Sequence, residues 1–305
     1  MKLEKLEFVN PYYKVLDERN SQKEIVLRHG HIAITNYKIG DNPPFEKILS
    51  GWNKMYWRYE QAAGYYIPKL KEFRIGRGFD IRRLHRLFPD HMIRVDNCPY
   101  HADKVDYDLT TPPRSDFQRV ALTFMASQSP YKRNKDYTQQ LIAARTGEGK
   151  TYCGVAISAY FKARIIVVCP ISKLLSQWKE SYMNFTSLTD KQIMIVKGSK
   201  ACEKIRMGRC KDIVVFIFTS DTIMAYIKNY GERACIEMLM QTGAYIKIID
   251  EIHKDMRVVS AIEAMSNFNL NFYMSASPLR SDEKENLIFS LMYNGVPKFG
   301  DNFQN

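Results

Sequence analysis

From about residue 113 onward, short apolar runs alternate with segments whose apolar positions recur at helical spacing. The runs cover residues 141–144, 165–169, 193–196, 213–218, 245–249 and 272–275. They carry little polar alternation, as expected of strands buried on both faces. Helical patterns begin between them near Tyr152, Lys173, Asp221, Glu232 and Met256. Strands alternating with helices predict βαβ units, and so an α/β domain with a parallel sheet and flanking helices. Before residue 110 the patterning is irregular and rich in Tyr, Arg and Trp. Residues 65–75 alternate in part, and Gly76 and Gly78 follow as turn residues. That predicts a strand hairpin, then a helix over 81–88 ended by Pro89. Thr110-Thr111-Pro112-Pro113 reads as a linker. The expected organisation is a small α+β domain over 1–110 and the α/β domain over 111–305.

Composition narrows the class. With 305 residues, 45% apolar and 26% charged, the chain can bury a core as one or two soluble domains. The net charge of +12 favours a polyanionic partner such as nucleic acid, or is general surface basicity; charge alone does not separate the two. The six cysteines show no zinc-ribbon spacing, which predicts reduced thiols. His85, His91, Cys98 and His101 likewise match no standard zinc spacing. The charged N-terminus has no apolar signal segment, and no stretch nears the roughly 20 apolar residues of a membrane span. The expectation is a cytoplasmic protein, in the host cytoplasm if viral, with no membrane partner.

Three motifs carry chemistry. Ala144-Arg145-Thr146-Gly147-Glu148-Gly149-Lys150-Thr151 follows an apolar run and opens a helix. That is the setting of a phosphate-binding loop, in which glycines turn backbone N–H groups toward phosphate oxygens at a helix N-terminus. Lys150 then reaches the phosphates of ATP and Thr151 holds Mg²⁺. Thr146, Gly147, Glu148 and Gly149 form the cradle; Ala144 stands where the general pattern has Gly. Second, the run Ile248-Ile249 ends in Asp250-Glu251, followed by Ile252-His253. Ligands of open α/β sheets sit beyond the carboxyl ends of strands, so Asp250 is placed to bind Mg²⁺, Glu251 to polarise water and His253 to sense the terminal phosphate. A solvated strand end is the plain alternative. Third, Ser275-Ala276-Ser277-Pro278 ends the next run. Alone it is a turn; its value lies in its order after the acid pair.

In that order, with Pro170-Ile171-Ser172-Lys173-Leu174-Leu175-Ser176-Gln177-Trp178 and Thr219-Ser220-Asp221-Thr222 between, the motifs resemble motifs I, Ia, Ib, II and III of superfamily 2 helicases. The resemblance spans roughly residues 114–291 and is closest to DExH-type members, including the UvsW-type helicases of tailed phages. It implies a RecA-like domain and an ATP hydrolase that remodels DNA or RNA, in recombination, repair or replication-fork processing. It implies that Gln118 reads the adenine edge, that Pro170, Ser172, Thr219 and Ser220 lie near nucleic-acid phosphates, and that Ser275 and Ser277 couple the two sites. The Ia and Ib segments equally suit helix caps. Ser277 stands where many members have Thr. It further implies a second RecA-like domain bearing the motif VI arginine, elsewhere in a longer protein or on another chain. A double-stranded DNA translocase, or a nucleic-acid-binding half with little ATPase alone, fits the same motifs.

Residues 67–94 hold Lys69, Lys71, Arg74, Arg77, Arg82, Arg83, Arg86 and Arg94 against Glu72, Asp80 and Asp90, with Tyr65, Tyr66, Phe73 and Phe79 interleaved. Basic residues neutralise phosphates and aromatics stack on bases, so Arg82, Arg83 and Arg86 are candidate nucleic-acid contacts. The alternative is a solvated basic face over an aromatic core.

Overall fold

The computed structural model describes residues 22–53, 58–96, 99–126, 138–252, 256–276 and 283–300. His253, Ser277 and Cys98 lie outside the described residues.

The chain first builds a mixed five-stranded sheet. Strands β1 (Glu24–Leu27) and β2 (His31–Ile34) form a hairpin, followed by helix α1 (Pro43–Ile48) and a separate pair, β3 (Ser50–Asn53) with β4 (Arg58–Gln61). Then come β5 (Tyr65–Ile67), β6 (Glu72–Gly76), helix α2 (Ile81–Leu87) and β7 (Met92–Val95). The sheet order is β5-β6-β2-β1-β7. The hairpin and helix expected from residues 65–88 are present. Pattern alone does not reveal β1 and β2, because nearly every position in them is buried and no period of two survives.

Two expectations for this region change. Arg74 does not reach solvent: its guanidinium donates to Glu72 and to the Ala264 carbonyl. Arg94 pairs with Glu24. Phe73 and Phe79 are buried, Phe73 in an aromatic cluster with Tyr37, Phe45 and Phe88, so neither ring can stack on a base. The aromatic-core alternative holds for those two rings.

The 99–111 stretch straps the second sheet. Tyr100 N–H donates to Asn267 O (2.9 Å), Asp103 N–H to Gly243 O (3.0 Å) and Thr110 N–H to Phe185 O (2.8 Å). Thr111, expected in a linker, is pinned as well: its carbonyl accepts from Tyr152 Oη at 2.7 Å.

Beyond the strap lie α3 (Asp116–Ala126), β8 (Gln139–Ala143), α4 (Lys150–Tyr160), β9 (Ile165–Cys169), α5 (Lys173–Phe185), β10 (Ile193–Val196) and α6 (Gly198–Arg206). They continue as β11 (Val215–Thr219), α7 (Ser220–Gln241), β12 (Ile246–Ile249), α8 (Met256–Met265), β13 (Leu270–Ser275), α9 (Glu283–Tyr293) and β14 (Lys298–Phe299). All seven strands are parallel, in the order β10-β11-β9-β12-β13-β8-β14. The helical patterns at Asp221 and Glu232 are the two segments of α7, which meet at a kink where Gly231 takes the non-helical φ 83°. Helix α6 was not expected from pattern.

Strand alternation divides the core into two layers. Ile165, Val167, Val215, Ile217, Ile246, Ile248 and Phe272 pack under α3, α4 and α5. Ile166, Val168, Phe216, Phe218, Ile249 and Tyr273 pack under α6 to α9, in a cluster continuous with the five-stranded sheet. That continuity is reinforced at the C-terminal end of α8, whose last carbonyls need donors. Arg74 serves Ala264 O, Tyr100 Oη serves Met265 O at 2.7 Å, and His31 Nδ1 donates to Ser266 O at 3.1 Å. With Nδ1 protonated, His31 Nε2 accepts from Arg28 Nη1 at 3.2 Å. Arg28 in turn grips both oxygens of Glu72 (3.1 and 3.2 Å). Burial opposes the Glu72 charge, but Arg28 and Arg74 outweigh it and hold the carboxyl down at about 2.

Burial, with Arg74, Arg28 and Lys247 nearby, holds the His31 imidazole well below its ordinary value. The native state therefore refuses a proton that the unfolded chain accepts. His31 contributes nothing to the pH dependence of stability above about pH 6.5, and below it lowers stability by about 1.4 kcal/mol per pH unit. Between pH 6.5 and 4.5 His31 acts before Glu72 protonates in the unfolded chain. Denaturant unfolding at pH 7 and pH 5.5 should show that slope, and His31→Gln, less stable at pH 7, should flatten it. An equal slope in the variant would show that His31 is not its source.

Candidate functional site

The candidate site lies along the carboxyl end of the parallel sheet. Register places Ala143 beside Ser275, Tyr273 beside Ile249, and Ile249 beside Val168. The loop after β8, the acids after β12 and the serine ending β13 are thereby neighbours, although more than 100 residues separate the first from the second. Backbone bonds close the edge: Ala144 N–H donates to Ser275 O (3.0 Å) and Asp250 N–H to Val168 O (2.9 Å).

The loop from Ala144 to Gly149 has the conformation that its glycines permit. Gly147 and Gly149 both take φ 93°, a left-handed backbone that costs other residues energy. A Cβ at Gly149 would also stand 2.2 Å from Gln118 Nε2, so the Gln118 carboxamide lies directly on the loop. That carboxamide is oriented: its Oε1 accepts from Arg114 N–H at 2.7 Å. Arg145 N–H donates to Glu148 Oε2 at 2.6 Å, which tightens the loop. Lys150 begins α4, and its ammonium donates to Ala144 O (2.8 Å) and stands 4.0 Å from Glu251 Oε1. Thr151, the second residue of α4, is half-buried beside it.

Asp250 is buried, and burial raises its carboxyl above the ordinary range; the Trp178 hydrogen bond and the Lys150 charge pull the other way. Trp178 Nε1 donates to Asp250 Oδ2 at 3.0 Å. Motif reading names Trp178 without this role, and only the need of a buried carboxylate for a donor points to it. Glu251 is one of four described non-glycine residues at positive φ, here 50°. Such strain clusters at functional sites. The turn aims its carboxylate across the edge, where Oε2 accepts from Ala276 N–H at 3.3 Å. Glu251 thus faces Lys150 on one side and holds Ala276 on the other.

The other half of the edge holds the ends of β9, β11 and β10. Ser172 is exposed before α5, with no capping bond from its side chain. Pro170 and Ser220 are half-buried. Thr219 is buried, and its Oγ1 accepts from Thr222 N–H at 3.1 Å, so this hydroxyl caps α7. The end of β10 brings Lys197 and Gly198 to the same edge, which no motif flagged. In α2, Arg82 and Arg86 are exposed and Arg83 is half-buried. They lie on the five-stranded module, not on the parallel-sheet edge. His85 is exposed on the same helix, and His91 packs edge-on against Phe88.

Residues 113–280 match the family described as Type III restriction enzyme, res subunit, over more than half the chain. The chain belongs to this family. Its fold is the RecA-like motor half of a superfamily 2 helicase. Curated relatives of the chain include the TFIIH basal transcription factor complex helicase/translocase XPB subunit of Trypanosoma brucei brucei (strain 927/4 GUTat10.1), 22% identical over 214 residues. That match covers 65% of this chain and 22% of the relative. The General transcription and DNA repair factor IIH helicase/translocase subunit XPB of Encephalitozoon cuniculi (strain GB-M1) is 21% identical over 189 residues, covering 59% of this chain and 25% of its own length. The chain thus spans about a quarter or less of these relatives. The crystal structure of the UvsW helicase from Bacteriophage T4 superposes with a TM-score of 0.55 at 13% identity, covering 90% of this chain and 99% of that one. At that identity the likeness is one of fold, and its coverage takes in the five-stranded module. No helix among the described residues is long and apolar enough to cross a membrane.

Proposed function

We propose that this chain is the ATP-binding half of a nucleic-acid motor that couples ATP hydrolysis to strand movement. The observation that carries the reading is the meeting of Gly149, Lys150, Asp250, Glu251 and Ala276 on one strand-end edge. The residues fit Mg²⁺ and a triphosphate. The loop offers left-handed glycines at a helix N-terminus, a lysine within it, and a buried carboxylate with a donor already fixed. Lys150 neutralises phosphate charge, and Thr151 and Asp250 would hold the metal. Magnesium, when bound, supplies Lewis-acid neutralisation of the phosphoryl oxygens. Glu251 orients and deprotonates the attacking water, His253 senses the terminal phosphate, and Gln118 reads the adenine edge through its two-faced amide. Ser275 and Ser277 couple this site to the strand-binding edge.

In this reading nucleic-acid phosphates meet Pro170, Ser172, Ser220 and the backbone at Thr219, and we add Lys197 and Gly198. The alignment of three adjacent strand ends supports it. Residues 1–110 form an accessory nucleic-acid-binding module and 111–305 the motor domain. A second RecA-like domain supplies the arginine for the transferring phosphoryl group. DNA, single-stranded or branched, is the expected track, the cytoplasm the expected location, and recombination or repair the expected setting. The test is ATP turnover with and without single-stranded, duplex and branched DNA, alone and mixed with a polypeptide bearing a second RecA-like domain. Turnover that rises with DNA and second domain supports the reading; none in any mixture sinks it.

The accessory role has its own test. The exposed charge that remains on α2 is Arg82 and Arg86, with Arg83 half-buried. Reversing all three to Glu should weaken DNA binding and lower the slope of log affinity against log salt by about one per lost phosphate contact. Equal slopes for parent and variant would mean that the helix is a solvated face.

A further inference from the structure

The last strand, β14, is two residues long, yet it sits against the adenine side of the site. Lys298 pairs with Leu141 and Phe299 with Ile142 at the edge of β8, just before the phosphate loop. Leu141 N–H donates to Pro297 O at 2.9 Å. Gly300, at φ 126°, passes so near Ala143 that a Cβ would stand 1.8 Å from its carbonyl oxygen. Only glycine keeps the backbone this close to the loop.

The Phe299 ring points to α3, the helix that carries Gln118. It stacks on Phe124 (centroids 5.5 Å, 29°) and leans on Phe117 (5.5 Å, 48°). Phe117 and Phe124 are seven residues apart, so they share one face of α3 two turns apart. All three rings are only partly buried, outside the fully enclosed core. Such ring pairs prefer defined geometry. Gln118 follows Phe117 directly, and its carboxamide rests on Gly149. The seat of α3 against β14 therefore sets where that amide lies above the loop.

We propose that Phe299 is a specificity-determining positioning residue: by holding Phe117 and Phe124 it fixes the Gln118 amide for an adenine base. The inference rests on the reading of Gln118 as the base reader. It predicts that base discrimination, not phosphate binding, depends on this ring.

The experiment is competition binding against a fluorescent ATP analogue, with ATP, GTP and inorganic tripolyphosphate as competitors. Phe299→Ala should cut the preference for ATP over GTP on the order of tenfold, the worth of about one positioned hydrogen bond. Tripolyphosphate, which needs only the loop, should bind as before. Phe299→Tyr keeps the ring and should restore the preference. Phe124→Leu removes the stack from the other side and should match Phe299→Ala, which guards against a folding defect in either variant. Gln118→Ala should lose the preference, and Phe299→Ala added to it should lose nothing more. If Gln118→Ala leaves the preference intact, Gln118 does not read the base, and the inference falls with that reading. If Gln118→Ala abolishes it while Phe299→Ala and Phe124→Leu do not, this inference alone is overturned. Equal loss of ATP, GTP and tripolyphosphate affinity in Phe299→Ala also overturns it, since the ring then only supports the fold.

Discussion

Glu251→Gln should lower ATP turnover by roughly 10²–10⁴-fold, the range that a positioned general base contributes, while nucleotide still binds. The geometry isolates the chemistry. The Glu251 side chain is held at both ends of the strand edge, 4.0 Å from Lys150 Nζ and 3.3 Å from Ala276 N. An amide oxygen keeps the bond from Ala276 N–H, so the strained turn at φ 50° retains its anchor. Two things are lost: the capacity to take a proton from water, and the negative charge facing Lys150. Losing that charge frees Lys150 for phosphate, so affinity should hold or rise slightly. Asp250 beside it also loses a like charge, which is among the influences raising its carboxyl. Single-turnover hydrolysis and equilibrium binding on one preparation, in the full motor with nucleic acid, separate these effects. A variant that hydrolyses ATP at the parental rate removes Glu251 from the mechanism.

The parallel sheet and the loop after β8 are legible in sequence for a physical reason. Strands such as β9, Ile165–Cys169, are buried at every position, so they appear as unbroken apolar runs ended by the candidate site residues. Gly147, Gly149 and Lys150 lie within eight residues of one another, and local spacing suffices to recognise them. What fails is what depends on distant partners. Arg74 and Arg94 look like free cations in sequence, because nothing local shows that the side chains turn inward. Glu72 lies two residues from Arg74 on the same strand, hence on the same face. The third member, Arg28, is 44 residues away. Strand β2 is equally opaque: His31 opens it after Arg28-His29-Gly30, and nothing local shows that its ring serves the end of α8. Trp178 reaches Asp250 across 72 residues. Phe299 is the extreme case, since its partners on α3 stand nearly the whole domain upstream.

Lys150→Ala should reduce nucleotide affinity by on the order of 10- to 100-fold or more, without unfolding the chain. The estimate comes from removing a charged donor worth about 1.5–3 kcal/mol per hydrogen bond to an anionic oxygen. The fold should tolerate the change. Lys150 opens α4, where alanine is a good helix former, and the bond given up, to Ala144 O, is a part-buried one beside the exposed loop residues 145–147. The loss spreads to the metal side of the site. The Lys150 charge is one of the influences that hold the buried Asp250 carboxyl down against desolvation. Without it that carboxyl shifts further up, toward the protonated form that binds Mg²⁺ poorly. The affinity loss should therefore be larger at pH 6 than at pH 8, a dependence that simple removal of a phosphate contact does not produce. Binding of a fluorescent ATP analogue with Mg²⁺ at both pH values, beside thermal unfolding of the same variant, reads the two effects separately. Unchanged affinity in a folded Lys150→Ala protein would remove the loop from the nucleotide site. A pH-independent loss would keep the loop and deny the electrostatic link from Lys150 to Asp250.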